Sequence, residues 1–200
     1  MSIETIGPDE LKAMPKFNFG ALEAPRVPWS AEELNRREGT HLLVFTPKTC
    51  AGTAITLDFL RELFGVDPAV SEPCMYNQDW YLKEDFATKT ALDGTWHLIR
   101  KDVLEGARAK LPEDIEHDLM GEQFPTAVTY VFTFFAYWLA TGGKVLWKND
   151  FLWCSDRDHN GDRVYVGCYE DPAGMNKNGF NIHRHLALRP AYSAAPEITS

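Results

Sequence analysis

Over the first forty positions apolar residues recur without a sustained period, and Pro8, Pro15, Pro25 and Pro28 divide the stretch into short pieces. The pattern predicts an irregular arm over residues 1–40 that wraps the domain and ends in a short helix. There Ser30 and Glu33 stand at capping-box spacing, so that a hydroxyl and a carboxylate each satisfy a free first-turn amide, and Gly39 is the stop. From His41 the signals sharpen. The run His41–Phe45 (HLLVF), closed by Pro47, predicts a buried strand. Thr56 predicts the N-cap of a helix over Leu57–Phe64, with Leu57, Leu60 and Phe64 on one face and Gly65 as its stop. Residues 66–94 read as loop, tacked to the core by Trp80, Tyr81 and Phe86. Thr95–Arg100 (TWHLIR) reads as a second strand, and 102–119 as weak helix interrupted at Gly106 and Pro112.

The longest apolar signal follows Pro125. Val128, Val131, Phe132, Phe135, Trp138 and Leu139 form one continuous helical stripe, and Gly142 or Gly143 supplies the C-terminal cap. Burying one large side chain contributes about 1.5–3 kcal/mol, so this helix is expected to anchor the domain. After Gly143 the character changes to short β-type runs: Lys144–Trp147, Phe151–Ser155, Arg163–Tyr169 and Leu186–Pro190. In the third, Val164, Val166 and Cys168 alternate with Tyr165, Gly167 and Tyr169, which suits an inner strand. The expected class is α+β. Two main helices pack on a small twisted antiparallel sheet, with the arm (1–40) preceding a single domain (41–200).

A hydrophobic fraction of 44% with 12% aromatics is that of a globular chain. Formal net charge is -9, with a sequence pI near 5.1, which sets the chain against phosphate backbones and excludes nucleic acid as an expected partner. The most apolar segment, Ala127–Ala140, falls short of the ~20 residues that span a bilayer, and MSIETIGPDE lacks the basic and apolar parts of a secretory signal. A cytoplasmic or virion-associated chain without a membrane partner is expected. In that setting Cys50, Cys74, Cys154 and Cys168 are expected as reduced thiols.

Two constellations invite chemistry. Asp156, Asp158 and Asn160 take the first, third and fifth places of an EF-hand loop with Gly161 at the sixth, but Gly167 stands where the bidentate Glu is needed. The plainer reading is a hairpin turn on Asn160-Gly161. Centred there, that turn would set Cys154 and Cys168 across from each other, as a thiol pair, a disulfide or two core thiols. The second constellation is Asn176-Lys-Asn-Gly-Phe-Asn-Ile-His-Arg-His185, where His183 and His185 would point the same way from an extended strand, as paired metal ligands do. Asp156, Asp158 or His159 would supply a third ligand; the plain alternative is two solvated histidines on a loop. Asn176, Asn178, Asn181 and Arg184 add the adaptable hydrogen-bonding groups of a recognition loop. No nucleophile elbow, phosphate loop or HExxH is present, and the acidic pairs Glu84/Asp85, Glu113/Asp114 and Glu116/Asp118 read as solvated faces.

Leu152-Trp-Cys-Ser155, Asp162-Arg-Val-Tyr-Val-Gly167 and His185-Leu-Ala-Leu-Arg-Pro190 together resemble the last strands of C-type-lectin-like domains. They are most similar to the bacterial branch of formylglycine-generating-enzyme-like proteins and the variable proteins of diversity-generating retroelements. The resemblance covers about the last 50 residues by motif. It implies a lectin-like scaffold whose loop 174–185, with Trp147 and Trp153 nearby, contacts a ligand. Oxidase activity is not implied, because Cys154 and Cys168 do not sit in that family's copper motif. The leading expectation is thus a module of bacterial or phage origin that binds a protein, small molecule or glycan through Trp147, Trp153, Asn176, Asn178, Asn181, His183, Arg184 and His185, without a cofactor. Two alternatives stand beside it. One is an enzyme using calcium or a transition metal on His183, His185 and an Asp of the 156–162 turn. The other is an assembly subunit that forms homo-oligomers through its N-terminal arm.

Overall fold

The structure is a computed structural model that describes residues 3–170, 178–184 and 187–199. Strand β1 (Glu4–Ile6) and helix α1 (Pro8–Lys12) open the chain, followed by α2 (Ala31–Arg36) and β2 (His41–Phe45). A small ribbon of β3 (Thr49–Cys50) and β4 (Thr53–Ala54) leads to α3 (Leu57–Phe64). A 3-10 turn at Trp80–Lys83 and α4 (Asp85–Thr88) precede β5 (Trp96–Arg100), α5 (Pro112–Asp118) and β6 (Glu122–Gln123). Then come α6 (Ala127–Thr141), β7 (Phe151–Arg157), β8 (Arg163–Gly167), β9 (Asn181–His183), β10 (Tyr192–Ser193) and β11 (Glu197–Ile198). The result is a mixed α+β fold with two main sheets and no barrel among the described residues.

The first sheet has the order β1-β2-β5-β11-β6. Its centre is the antiparallel pair β2–β5, in register from His41↔Arg100 to Phe45↔Trp96, and the C-terminal β11 slots between β5 and β6. The second sheet has the order β10-β7-β8-β9. Between them runs α6, which touches β1 of the first sheet, β7 and β8 of the second, and both α1 and α3. Thr126 caps its amino end through the Thr129 amide, and Gly142, left-handed at φ 68°, ends it.

Helix α6 is buried almost all round. Tyr130, Thr133, Phe134 and Tyr137, which lie off the expected stripe, are interior as fully as Val131 and Phe135. Phe134 packs on Phe180 with centroids 4.5 Å apart and on Tyr169 at 5.5 Å. The Tyr130 hydroxyl donates to the Ala195 carbonyl at 2.9 Å, tying the helix to the segment before β11. The single-stripe expectation is corrected: a helix gripped by two sheets needs an apolar surface on every side.

Other expectations held at residue level. The Ser30 capping box, β2, Thr56 capping α3, the Gly65 stop and β5 all form where the pattern placed them. Four did not. The arm is not wholly irregular: β1 pairs parallel with β2, and Ile6, Leu11, Met14 and Phe17 enter the main core. Pro8 and Pro112 do not interrupt helices but start them, since a missing amide costs nothing in the first turn. One antiparallel sheet is replaced by two, each carrying a parallel pair (β1–β2 and β10–β7). Lys144–Trp147 is not a strand, and 187–190 is not one either, Leu186 lying outside the described residues. Among the described residues no helix is long and apolar enough to cross a membrane.

Cys154 and Cys168 are not partners. β7 and β8 pair as Phe151↔Gly167, Leu152↔Val166 and Trp153↔Tyr165, with an irregularity before Arg157↔Arg163. Cys168 therefore lies past the end of the ladder while Cys154 lies within it. All four cysteines are buried, and no disulfide joins them among the described residues.

Full burial of α6 gives a direct test. Phe134→Ala, off the stripe, should cost about 3–5 kcal/mol in urea unfolding, as much as Phe135→Ala. A cost below about 1 kcal/mol would mean that this side of the helix faces solvent.

Candidate functional site

The segment expected to display a recognition loop is largely the edge strand of the second sheet. β9 pairs with β8 through Tyr165↔His183, Val166↔Ile182 and Gly167↔Asn181. Just before it the chain passes against residues 74–76: Phe180 donates its amide to the Cys74 carbonyl and accepts from Tyr76. Gly179 permits that approach, being left-handed at φ 83° with a virtual Cβ only 2.5 Å from the Met75 carbonyl carbon. Phe180 then enters the core against Phe134. The outer edge of β9 is covered as well, since the Gln78 amide and the Trp80 indole both donate to the Ile182 carbonyl.

At the end of β9 four side chains interlock. The Arg184 guanidinium lies over the Trp80 ring, 4.4 Å from its centroid. Its Nη1 donates to Asp158 Oδ2 at 2.7 Å and to Glu84 Oε1 at 3.3 Å. Glu84 is buried and also receives the His159 backbone amide at 3.0 Å and His159 Nδ1 at 2.6 Å. Asp158 Oδ1 accepts the amides of Asn160 and Asp162, which folds the hairpin turn under its own carboxylate. Burial opposes ionisation of Asp158, but the Arg184 bond and those two amides override it and hold its carboxyl down at about 2. The expected reading of Glu84 as a solvated face is corrected: the 3-10 turn before it rotates the carboxylate inward onto the hairpin.

The sequence-derived contact residues divide accordingly. Trp147 and Trp153 are 5% and 6% exposed, and their indoles donate to the Arg100 and Lys110 carbonyls. They pin loops to the sheets and do not present a face to solvent. Asn181 is also interior; its amide bridges the Cys168 and Gly179 carbonyls, closing the turn that Cys168 enters at φ 57°. Asn178, His183 and Arg184 are half-buried at the surface. Asn176 and His185 lie outside the described residues.

The metal reading placed His183 and His185 beside an Asp of the 156–162 turn; His185 lies outside the described residues, and His183 and the two aspartates each face other partners. His183 shares the face of Phe151 and Tyr165, 5.4 and 5.8 Å away, where burial, reinforced by Arg189, keeps its pKa low. Asp156 turns to the start of α6, accepting the Ala127 amide, and burial raises its pKa. Asp158 faces Arg184. Among the described residues no three His, Cys, Asp or Glu side chains are grouped to hold an ion.

Sequence reasoning missed a second polar cluster. His97 of β5 is bonded through Nδ1 to Glu197 of β11 and through Nε2 to Asp93 at 3.2 Å, beside a cavity of about 220 Å³ that Ser155 also lines. Residues 97 and 197 are 100 apart, so no local pattern could have joined them. Burial opposes protonation of His97, yet the bonds to Asp93 and Glu197 prevail and hold its pKa up at about 9. With both nitrogens engaged and the ring protonated at neutral pH, His97 cannot act as a general base for Ser155. It locks the C-terminal strand into the first sheet. On the neighbouring strand His41 is the opposite case: burial, with Arg100 and Arg37 nearby, lowers its pKa to about 4.

These shifts set a pH window. His97 gains a proton partner on folding, so its stabilisation is complete below pH 6.5 and is lost as pH rises through about 9. The contribution of neutral His41 is complete above pH 6.5 and is lost as pH falls towards about 4. Urea midpoints should fall on both sides, and His97→Gln should flatten the alkaline limb by about 3 kcal/mol. A limb unchanged in that variant would refute the clamp. Around Arg184, a double-mutant cycle of Arg184→Ala with Asp158→Asn should return a coupling of about 2 kcal/mol in chemical denaturation, and a value near zero would show the pair to be idle.

Comparison with family models, with curated proteins and with solved structures finds no match to this chain.

Proposed function

We propose that the chain is a binding module on a C-type-lectin-like scaffold. Its contact surface is the end of β9, where Asn178, His183 and Arg184 adjoin Trp80 and His159. The order of elements supports the scaffold: an early strand, a first helix, a long second helix, an antiparallel hairpin with a further strand, and a last strand, β11, that joins the sheet of the early strand between β5 and β6. The observation that carries the surface is the guanidinium of Arg184, laid on Trp80 and held by Asp158 and Glu84. An arginine fixed in one orientation on an aromatic plate loses little freedom when a partner docks, and Arg and Trp are the side chains that dominate binding energy in such patches. The expected ligand is a protein or a glycan.

The test begins with the purified chain on a glycan array and a protein array, followed by titration of whatever is retained. His183→Ala and Asn178→Ala should each weaken that interaction by about tenfold, ~1.4 kcal/mol, with melting temperatures close to that of the parent, and Arg184→Lys should weaken it at least as much while lowering the melting temperature, because Arg184 also locks Asp158 and Glu84. A ligand whose affinity ignores all three changes binds elsewhere and removes this assignment.

A further inference from the structure

The outward face of the second sheet carries a satellite core of Trp153, Tyr165 and Tyr192 with Ala107, Ile115 and Phe124, separate from the packing around α6. Helix α5 straps this core. Its Glu116 pairs with Arg163 and its Glu113 stands 3.8 Å from Arg157, so acidic residues fasten it to the hairpin of β7 and β8. Along the side of α5 facing the first sheet runs a cleft of about 420 Å³. That is within the range of small-molecule sites, roughly 300–1,000 Å³.

The lining of this cleft sets charged side chains around an apolar floor. Ala107 and Ile115 form a floor that is 4% and 3% exposed, and Leu104 and Leu119 pack against the same cluster. Met120, at the mouth, is 94% exposed. An aliphatic side chain that solvated beside an apolar floor has surface to bury. Among the charges, Arg37, Arg100 and Glu122 are half-buried, whereas Lys110, Glu105 and Asp118 stand out in solvent. Arg100 is committed to Glu122, Nη2 to Oε1 at 2.9 Å. The side chains of Arg37 and Lys110 make no hydrogen bond or ion pair among the described residues. His41, paired with Arg100 across β2 and β5, is buried and kept neutral by its surroundings, the two guanidiniums among them. The partly desolvated part of the wall therefore has positive charge to spare in a chain whose net charge is -9.

We propose that this cleft is a second binding site, for a small amphipathic anion. Its apolar body would lie on Leu104, Ala107, Ile115 and Leu119, and its carboxylate or equivalent acid group would face Arg37 and Lys110. The site shares no lining residue with the surface around Trp80 and Arg184 and does not rest on the role proposed for them.

Octanoate is the probe, with octylamine and octan-1-ol as comparators of the same chain length, titrated into the full chain and followed by amide NMR shifts. Octanoate should saturate, at least about tenfold tighter than octylamine, with shifts centred on residues 104–122. Arg37→Gln should weaken octanoate about fivefold or more while leaving octanol unchanged; Arg37 closes α2 with no side-chain partner, so the fold should be unaffected. Ala107→Leu, which fills the floor, should weaken both. Arg184→Lys should change neither, which separates this site from the β9 surface. Octylamine binding as tightly as octanoate, an Arg37→Gln affinity equal to the parent, shifts elsewhere on the chain, or no saturation would each overturn the proposal.

Discussion

Everything else in this molecule depends on the burial of α6 from both sides. Fifteen residues without one charged side chain run between two sheets, and each sheet takes part of the helix surface as its own core. Both sheets contribute to the cluster around it: Ile6 of β1 and Leu42, Val44 and Phe45 of β2 on one side, and Leu152, Cys154, Val164, Val166 and Ile182 of β7, β8 and β9 on the other, while Leu43 packs in a separate cluster with Ile3, Trp29 and Leu98. The first turn of the helix is tied to its surroundings by directed bonds. Asp156 of β7 receives the Ala127 amide, where a carboxylate also suits the helix dipole, and the Tyr130 hydroxyl donates to the Ala195 carbonyl before β11. Because packing of this kind tolerates few voids, the geometry of the outer strands is inherited from the helix.

Surface chemistry follows from that frame through a few polar locks. His97 joins residue 93 to residue 197, closing the first sheet on its C-terminal strand. Arg184 joins β9 to the hairpin turn and to the turn before α4, and Trp80 lies beneath it. The two locks differ in character. The first is sunk and protonated, so it serves stability. The second is half-exposed at the rim, where an arginine already oriented by carboxylates can also meet a partner. Helix α5, fastened to the hairpin through Glu113 and Glu116, borders a cleft whose Arg37 and Lys110 take part in neither lock.

Local patterns reported local structure well. Capping chemistry at Ser30 and Thr56, the Gly65 and Gly142 stops, and the apolar runs of β2 and β5 all lie within a few residues of one another in sequence, and their physics is short-range. Proline was the recurrent source of error: Pro8 and Pro112 read as breakers but occupy the first turn of a helix, where their fixed φ is an advantage. The candidate site was half legible. Arg184 and His183 were found from composition, while Trp80 was assigned only a packing role and Glu84 only a solvated one. The charge-free run of α6 was a signal for all-round burial that the single stripe obscured.

By itself the sequence determined the capped helix after Ser30, β2, α3, β5 and α6, that the aromatic helix would anchor the fold, and that 151–155 and 163–169 would lie side by side. Only the tertiary structure decided which polar residues turn inward. Trp147, Trp153, Asn181 and Glu84 have the composition of a contact surface, yet each is consumed by a carbonyl, amide or guanidinium from a distant part of the chain. The reason is that a side chain's exposure depends on partners brought close by folding, at separations such as the 100 residues between Glu84 and Arg184, and periodicity carries no information over that range.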